Sequence, residues 1–222
     1  MDSKTRTEKI TTLLEKAFGT PTWQGHSDVL DNLILTILSQ STNDKNRDTA
    51  FARLKTAFPE WEAAMHAPAK DIADAIRPAG LGNQKSVRIK DVLRWVYDTY
   101  HTFDLSFVCD MPPQEVIDTF TQLKGVGIKT VSVLLMFTCG VDIFPVDTHV
   151  HRICRRLGLV PPNASAEKTH HAMQPLVPEG RSYSLHMNLL HLGRNVCYAR
   201  KPRCGECPVR EVCERVGVEQ DY

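Results

Sequence analysis

The sequence predicts an all-α protein, and three observations carry that reading. Apolar residues recur at intervals of three and four through nearly the whole chain. No stretch alternates apolar and polar residues with the period of two that a half-buried strand requires. Glycines and prolines fall between the apolar stripes, where helices start and stop. Helices of about ten residues joined by short Gly/Pro loops predict a compact bundle rather than a coiled coil.

Taken in order, Val29, Leu30, Leu33, Ile34, Ile37 and Leu38 cover most of a helix surface, which predicts a central buried helix. Ser27 or Asp28 offers its N-cap. Phe51, Leu54 and Phe58 form an i, i+3, i+7 stripe whose helix starts at Asn43 or Asp44. Ile89, Leu93, Val96, Tyr97 and Tyr100 line one face of a longer helix. Pro113 sits where a first helical turn tolerates proline, ahead of Val116, Ile117 and Phe120. A further helix carries Lys129 in its first turn, and another runs from Asp147 to Leu157 and stops at Gly158. One more starts near Ser165. The last, with Leu185, Leu189 and Leu192, is expected to end at Gly193.

A length of 222 residues suits one large domain or two small ones sharing a core. At 42% hydrophobic residues the chain builds a proper interior, which excludes disorder. The net charge is only +1, so any case for a nucleic-acid partner must rest on local patches. Residues 1–15 are polar and lack the apolar core of a secretory signal. The longest apolar runs, such as residues 131–137, are too short to span a bilayer. An intracellular protein of cytoplasm or nucleoid, with no membrane partner and monomeric, is the expectation. In a reducing compartment its seven cysteines are expected to be free thiols or metal ligands.

Cys197, Cys204, Cys207 and Cys213 are separated by six, two and five residues. Four thiolates this close in sequence can surround one metal centre, because each short loop turns its sulfur inward. Zinc also takes four thiolates. Two points favour a four-iron four-sulfur cluster: only one CxxC knuckle is present, and a proline follows Cys207. Around the cysteines, Arg200, Lys201 and Arg203 fall in the first loop between ligands. A loop pinned by metal that presents three cations makes a rigid phosphate-binding surface; the alternative is that these charges are only solvated or offset the cluster's own charge.

Leu123-Lys124-Gly125-Val126-Gly127-Ile128-Lys129-Thr130 lies between two helical stripes. Gly125 and Gly127 permit a tight turn and expose backbone N–H groups at the start of the next helix, a place suited to phosphate. Lys129, in the first turn, feels the positive end of the helix dipole, which favours its neutral, nucleophilic form. A lysine that merely touches phosphate or solvent is the plainer reading. Asp147 directly precedes a helix and reads first as its N-cap. An ionised carboxylate held in that way can also stabilise an oxocarbenium-like transition state.

The residue 123–130 hairpin, Val146-Asp147-Thr148-His149 and the four-cysteine pattern together resemble the endonuclease III family of DNA glycosylases. Arg200-Lys201-Pro202-Arg203-Cys204 is similar to the family's cluster loop. The resemblance runs from about residue 38 to Cys213. It implies two helical lobes, a six-helix barrel with a helix-hairpin-helix over residues 24–133 and an iron–sulfur domain from 1–23 and 134–222. It implies a Schiff-base lysine at Lys129, a catalytic aspartate at Asp147, and cluster ligands at Cys197, Cys204, Cys207 and Cys213. The hairpin residues Gly125, Val126 and Gly127 and the cations Arg200, Lys201 and Arg203 then bind DNA. Leu81, in Gly80-Leu81-Gly82-Asn83, matches an apolar wedge. The partner implied is double-stranded DNA with a damaged base or abasic site, and the activity a glycosylase with β-elimination on oxidised pyrimidines. A single-function mismatch glycosylase and a non-catalytic DNA-binding module are the alternatives.

Two positions depart from the family pattern. Lys124 stands where the family has proline. The segment Ser39-Gln40-Ser41 places its glutamine one residue early, so that Gln40 or Ser41 fills the gap left by the flipped base, and the opposite-strand preference stays open.

Overall fold

The structure, a computed structural model, describes residues 2–25 and 27–218. Residue 1 and residues 219–222, assigned above to the iron–sulfur domain, lie outside that set, as does residue 26. Among the described residues there are eleven α-helices and no strand. They are α1 (Ser3–Phe18), α2 (Val29–Ser39), α3 (Asp44–Ala57), α4 (Trp61–His66), α5 (Ala69–Ala75) and α6 (Gly82–Tyr100). Then follow α7 (Pro113–Phe120), α8 (Ile128–Cys139), α9 (Thr148–Arg156), α10 (Ala166–Met173) and α11 (Ser182–Asn195). Short 3-10 turns occupy Arg77–Ala79, Ser106–Asp110, Cys204–Glu206 and Arg210–Val212. None of the described helices is long and apolar enough to cross a membrane. The all-α expectation holds.

The chain divides into two compact units, His26–Leu134 and a discontinuous one made of Met1–Gly25 and Leu135–Tyr222. In His26–Leu134 the centre is α2, where six of the seven apolar residues, all but Leu35, are at most 2% exposed. Fully burying one such side chain contributes about 1.5–3 kcal/mol, so this short helix anchors the unit. Asp28 is its N-cap, accepting from the Asp31 amide at 2.7 Å. Helix α6 packs against α2, α4 and α5 through Ile89, Val92, Leu93 and Val96. The sequence stripe is shifted by this: Tyr97 is 39% exposed, and Val92 takes the buried place. On α3 the buried residues are Ala50 and Leu54, with Asn43 as N-cap. Phe51 is half-buried, with its ring centroid 6.4 Å from that of Trp61.

In the discontinuous unit, α11 packs against α1 and α9, and α10 packs on α9. Ile10 and Leu14 of α1 join Phe144, Val150, Leu185 and Leu189 in one core. Gly158 ends α9 with φ +73°, as its position predicts. Gly193 does not end α11, which continues to Asn195. A Cβ there would lie 2.8 Å from His149 Nδ1 and 3.2 Å from Arg152 Nη2, so the missing side chain serves close approach to α9 instead. Among the cysteines, five form no disulfide; Cys109 and Cys139 are not among them, which departs from the expectation for the full set. Cys154 is a core thiol, and burial pushes it up to about 12, which keeps it protonated and inert.

Candidate functional site

Within His26–Leu134, three loop features gather around the first two turns of α6. The first is Leu81, the residue preceding that helix. It is held in the left-handed conformation at φ 52°, and it is 52% exposed. An exposed leucine in that region costs on the order of 1 kcal/mol, and such strain persists only where the surroundings impose it. Gly80 on one side has φ +69°, and on the other a Cβ at Gly82 would sit 3.1 Å from the Ala73 carbonyl oxygen. The turn has positive φ at both Gly80 and Leu81, and it projects an apolar side chain into solvent.

The second feature is the end of α2. Ser39 closes the helix by donating its hydroxyl to the Thr36 carbonyl at 2.7 Å. Gln40 follows in extended backbone, and Ser41 is exposed with φ 55°. The third is the hairpin between α7 and α8. Val126 N–H donates to the Leu123 carbonyl at 2.9 Å and the Val126 side chain is 3% exposed, so Val126 shapes the turn from inside. Gly125, at φ +83°, and Gly127 are on the exposed side. Lys129 is the second residue of α8, half-buried in its first turn.

Two basic residues that the sequence reading missed hold these features together. Lys85 is 3% exposed, and its Nζ donates to the carbonyls of Leu38 and Ala79, each at 2.8 Å. It thereby ties the last turn of α2 to the loop that leads into Leu81. Burial lowers its pKa, and the two carbonyls satisfy donors that would otherwise be stranded. Its signal was present in the sequence, since Lys85 falls one turn ahead of Ile89 on the apolar face. Arg88, half-buried and one turn further along α6, donates from Nη1 to Gln40 Oε1 at 2.6 Å. No spacing rule flags it.

In the discontinuous unit, Asp147 is the N-cap of α9, accepting from the Val150 amide at 2.8 Å. The capping role expected for it is therefore present, and the carboxylate is half-buried. The other end of the same helix meets the cysteine loop. Arg152 donates to the Gly193 and Cys197 carbonyls at 3.1 and 2.8 Å. Arg156 donates to Cys197 Sγ at 3.3 Å and to the Tyr198 and Ala199 carbonyls at 2.6 and 2.9 Å. These arginines too escaped the sequence reading, although their i, i+4 spacing puts both on one face of α9.

Cys197, Cys204, Cys207 and Cys213 line one apolar cavity with Val196 and Pro202. Burial pushes the Cys207 thiol up to about 11, and charge on the other three sulfurs pushes it the same way. Cys213 is raised for the same reasons. Four cysteine sulfurs gathered in one cavity bind as thiolates around a cationic centre, which is the chemistry of a metal site. A lone zinc ion needs its sulfurs about 2.3 Å from one point. Four cysteine thiolates are also the donor set of a four-iron four-sulfur cluster, and Cys197, Cys204, Cys207 and Cys213 around one cavity fit that group.

Arg200, Lys201 and Arg203 are exposed on the first loop, as expected. Arg203 is braced by the Tyr198 hydroxyl at 2.8 Å and by Glu206 at 3.1 Å. Lys201 takes a left-handed conformation at φ 51°, which turns the loop sharply between its neighbours.

Residues 34–179 match the family model described as HhH-GPD superfamily base excision DNA repair protein. Residues 197–213 match the model for the iron–sulfur binding domain of endonuclease III. A relative from Arabidopsis thaliana, named as a DNA glycosylase, is 38% identical over 76% of this chain, which spans 57% of that protein. Endonuclease III of Sulfolobus acidocaldarius is 33% identical, with 84% of this chain and 82% of that one covered. Among solved structures, a non-covalent endonuclease III–DNA complex aligns over 97% of both chains with a TM-score of 0.82. At 24% identity that likeness speaks for the fold.

Proposed function

Because the chain belongs to the HhH-GPD superfamily, as a base-excision-repair DNA glycosylase of the endonuclease III type with a four-iron four-sulfur cofactor, we propose that it is bifunctional. In this reading it removes an oxidised pyrimidine from duplex DNA and then cuts the strand by β-elimination. The observation that carries the proposal is the placement of Lys129 in the first turn of α8, immediately after the Gly125–Gly127 turn. A primary amine at the positive end of a helix dipole has its neutral form favoured, and the neutral form is the nucleophile.

The target base leaves the stack before reaction, since its sugar carbon is unreachable inside the duplex. Leu81 enters the stack in its place, and Gln40 or Ser41 occupies the gap. The turn at Gly125 and Gly127, with the amides that open α8, takes one phosphate, and Arg200, Lys201 and Arg203 take others. The neutral amine of Lys129 attacks C1′. A C–N bond to the enzyme forms as the glycosidic C–N bond breaks, and the base departs with a proton. The Asp147 carboxylate, fixed by its capping bond, stabilises the positive charge that develops on the sugar. The nitrogen then gives up a proton and its electron pair expels O4′, which takes a proton as the ring opens, leaving a Schiff base between Lys129 and C1′. That acidifies C2′, and loss of a C2′ proton expels the 3′ phosphate.

Cys197, Cys204, Cys207 and Cys213 hold the cluster, whose chemistry here is to pin the loop that carries the three cations. The protein acts as a monomer on double-stranded DNA.

Borohydride trapping on a duplex containing thymine glycol tests this, with wild type and Lys129→Gln side by side. A covalent protein–DNA band with wild type only is the expected result. Base release without a trapped band, revealed by later alkali, would assign the chain to the single-function glycosylases instead.

A further inference from the structure

The last turn of α6 and the loop after it carry a patch of aromatic rings that the proposed DNA chemistry does not use. Tyr97 and Phe107, 39% and 37% exposed, are two of the four large apolar side chains exposed among the described residues. Tyr97 and Tyr100 lie three positions apart and so share one face of the helix. The loop braces both rings: Phe103 lies 5.6 Å from Tyr97, and Phe107 5.1 Å from Tyr100, between centroids. Trp95 backs Tyr100 edge-on at 5.7 Å.

The charge around this patch has one sign. Residues 95–123 contain no Lys or Arg and five carboxylates, Asp98, Asp104, Asp110, Glu115 and Asp118. All five are exposed, and among the described residues none of them forms an ion pair. Asp98 follows Tyr97 in the chain, and Asp104 follows Phe103. Phe107 and Asp110 are three apart in a 3-10 turn, where such side chains eclipse. Burial, and then the Glu115 charge, hold the Tyr100 hydroxyl above its usual pKa, so that carboxylate stands near the ring. Helix α6 has no basic residue in its last turn, and the negative end of its dipole adds to the same field.

The helix is thus polarised along its length. Arg88, Lys90 and Arg94 precede the patch, and Leu81 stands at the other end, roughly 30 Å away at the rise of an α-helix. A phosphate backbone is drawn to the first end and repelled from the second. The second end instead attracts cations, and its π faces favour those that stack. A guanidinium lies flat on an aromatic ring while its edge pairs with a carboxylate, which a hydrated ammonium does less well.

We propose that the C-terminal end of α6 and residues 101–110 dock an arginine-rich segment of another protein, with guanidinium groups on the Tyr97 and Phe107 rings and the surrounding carboxylates as counterions. This surface is separate from the proposed catalytic groups and stands whether or not Lys129 is the nucleophile.

The test uses the full chain with its cluster and a fluorescein-labelled peptide of alternating arginine and serine, followed by anisotropy. Peptides with lysine or glutamate in place of arginine are controls, and thermal midpoints are recorded for every variant. Wild type binds the arginine peptide saturably, the lysine peptide about threefold more weakly, and the glutamate peptide not at all. Tyr97→Leu with Phe107→Leu keeps apolar bulk but removes the π faces, and affinity for the arginine peptide falls about tenfold. The preference for arginine over lysine disappears with it. Asp98→Asn, Asp104→Asn and Glu115→Gln together weaken binding at low salt and flatten its salt dependence. They leave the rings intact, so they decide the matter if the leucine pair lowers the midpoint.

No binding by wild type overturns the proposal. So does a leucine pair or a carboxamide triple variant that binds as tightly as wild type, because the peptide then lies elsewhere. Sedimentation of wild type alone tests a second copy of this chain as the occupant. Self-association that the leucine pair abolishes would assign the face to a dimer instead.

Discussion

Arg156 donates to Cys197 Sγ at 3.3 Å and, through the same guanidinium, to the carbonyls of Tyr198 and Ala199 at 2.6 and 2.9 Å. It sits at the last position of α9, where a cation also favours the negative end of the helix dipole. The first turn of that helix is capped by Asp147. One helix of nine residues therefore fixes the proposed catalytic carboxylate at its start and the proposed cluster loop at its end.

Arg156→Leu removes three donors from this loop at once, leaving two carbonyls to find water. Hydrogen bonds from charged donors contribute about 1.5–3 kcal/mol each, though they are shared here within one side chain. The expected result is a lower ratio of absorbance at about 400 nm to protein absorbance, with faster bleaching in air. A variant with the full chromophore and the wild-type bleaching rate would show that Arg156 does not support the loop.

Asp147 carries two roles that substitution can separate. Asparagine caps a helix about as well as aspartate, whereas alanine costs about 1 kcal/mol. Asp147→Asn should therefore keep its thermal midpoint and slow base release by about a hundredfold or more, the scale of losing one electrostatic group. Asp147→Ala should lose stability as well. Equal base release by Asp147→Asn and wild type, in single-turnover experiments, would leave Asp147 as a cap alone.

Leu81 offers a case where stability and activity move in opposite directions. Its left-handed backbone at φ 52° is strained for leucine, and a side chain 52% exposed loses little packing when removed. Leu81→Gly relieves the strain at some cost in unfolded-chain entropy, so stability should change by no more than about 1 kcal/mol, in the favourable direction. Base release from a lesion duplex should fall at the same time. A large drop in the thermal midpoint would mean that Leu81 packs against the fold more than its exposure implies.

Glu15 gives a pH dependence with a definite sign. Burial raises its pKa, but hydrogen bonds from Arg181 and Ser184 and the Arg181 charge outweigh that and hold it below its usual 4.5. The contacts join α1 to the start of α11, with Ser184 Oγ donating to Oε1 at 2.6 Å. Because the folded-state pKa is depressed, this stabilisation is complete above the unfolded value of 4.5 and fades as pH falls through the lower folded value. Glu15→Gln should cost about 1–2 kcal/mol at pH 7, and the gap from wild type should close in acid. Denaturant melts at pH 7 and below pH 4 would measure it, and a gap independent of pH would exclude the ionic contribution.

Much of the fold was legible because helical period and end signals are local. The α2 stripe, its Asp28 cap, the proline opening α7 and the glycine closing α9 all follow from residues within a few positions of one another. Gly193 misled for the opposite reason: its purpose is the approach of α9, and nothing nearby in sequence carries that information. The shift of the α6 face from Tyr97 to Val92 has the same origin, since packing against α2, α4 and α5 decided it.

The candidate site divides along the same line. Residue types and spacings were readable along the chain: four clustered cysteines, a Gly-x-Gly turn before a lysine, an aspartate before a helix, and helical periodicity around them. These are readable because each is a short motif whose chemistry depends on its neighbours in the chain. Folding was needed to bring Lys85 Nζ to the carbonyls of Leu38 and Ala79, Arg88 between Gln40 and the Gly125 turn, and Arg156 onto the Cys197 loop. Such contacts join residues far apart in sequence. Their energy depends on burial and on the partner that each donor finds, and both exist only once the chain has folded.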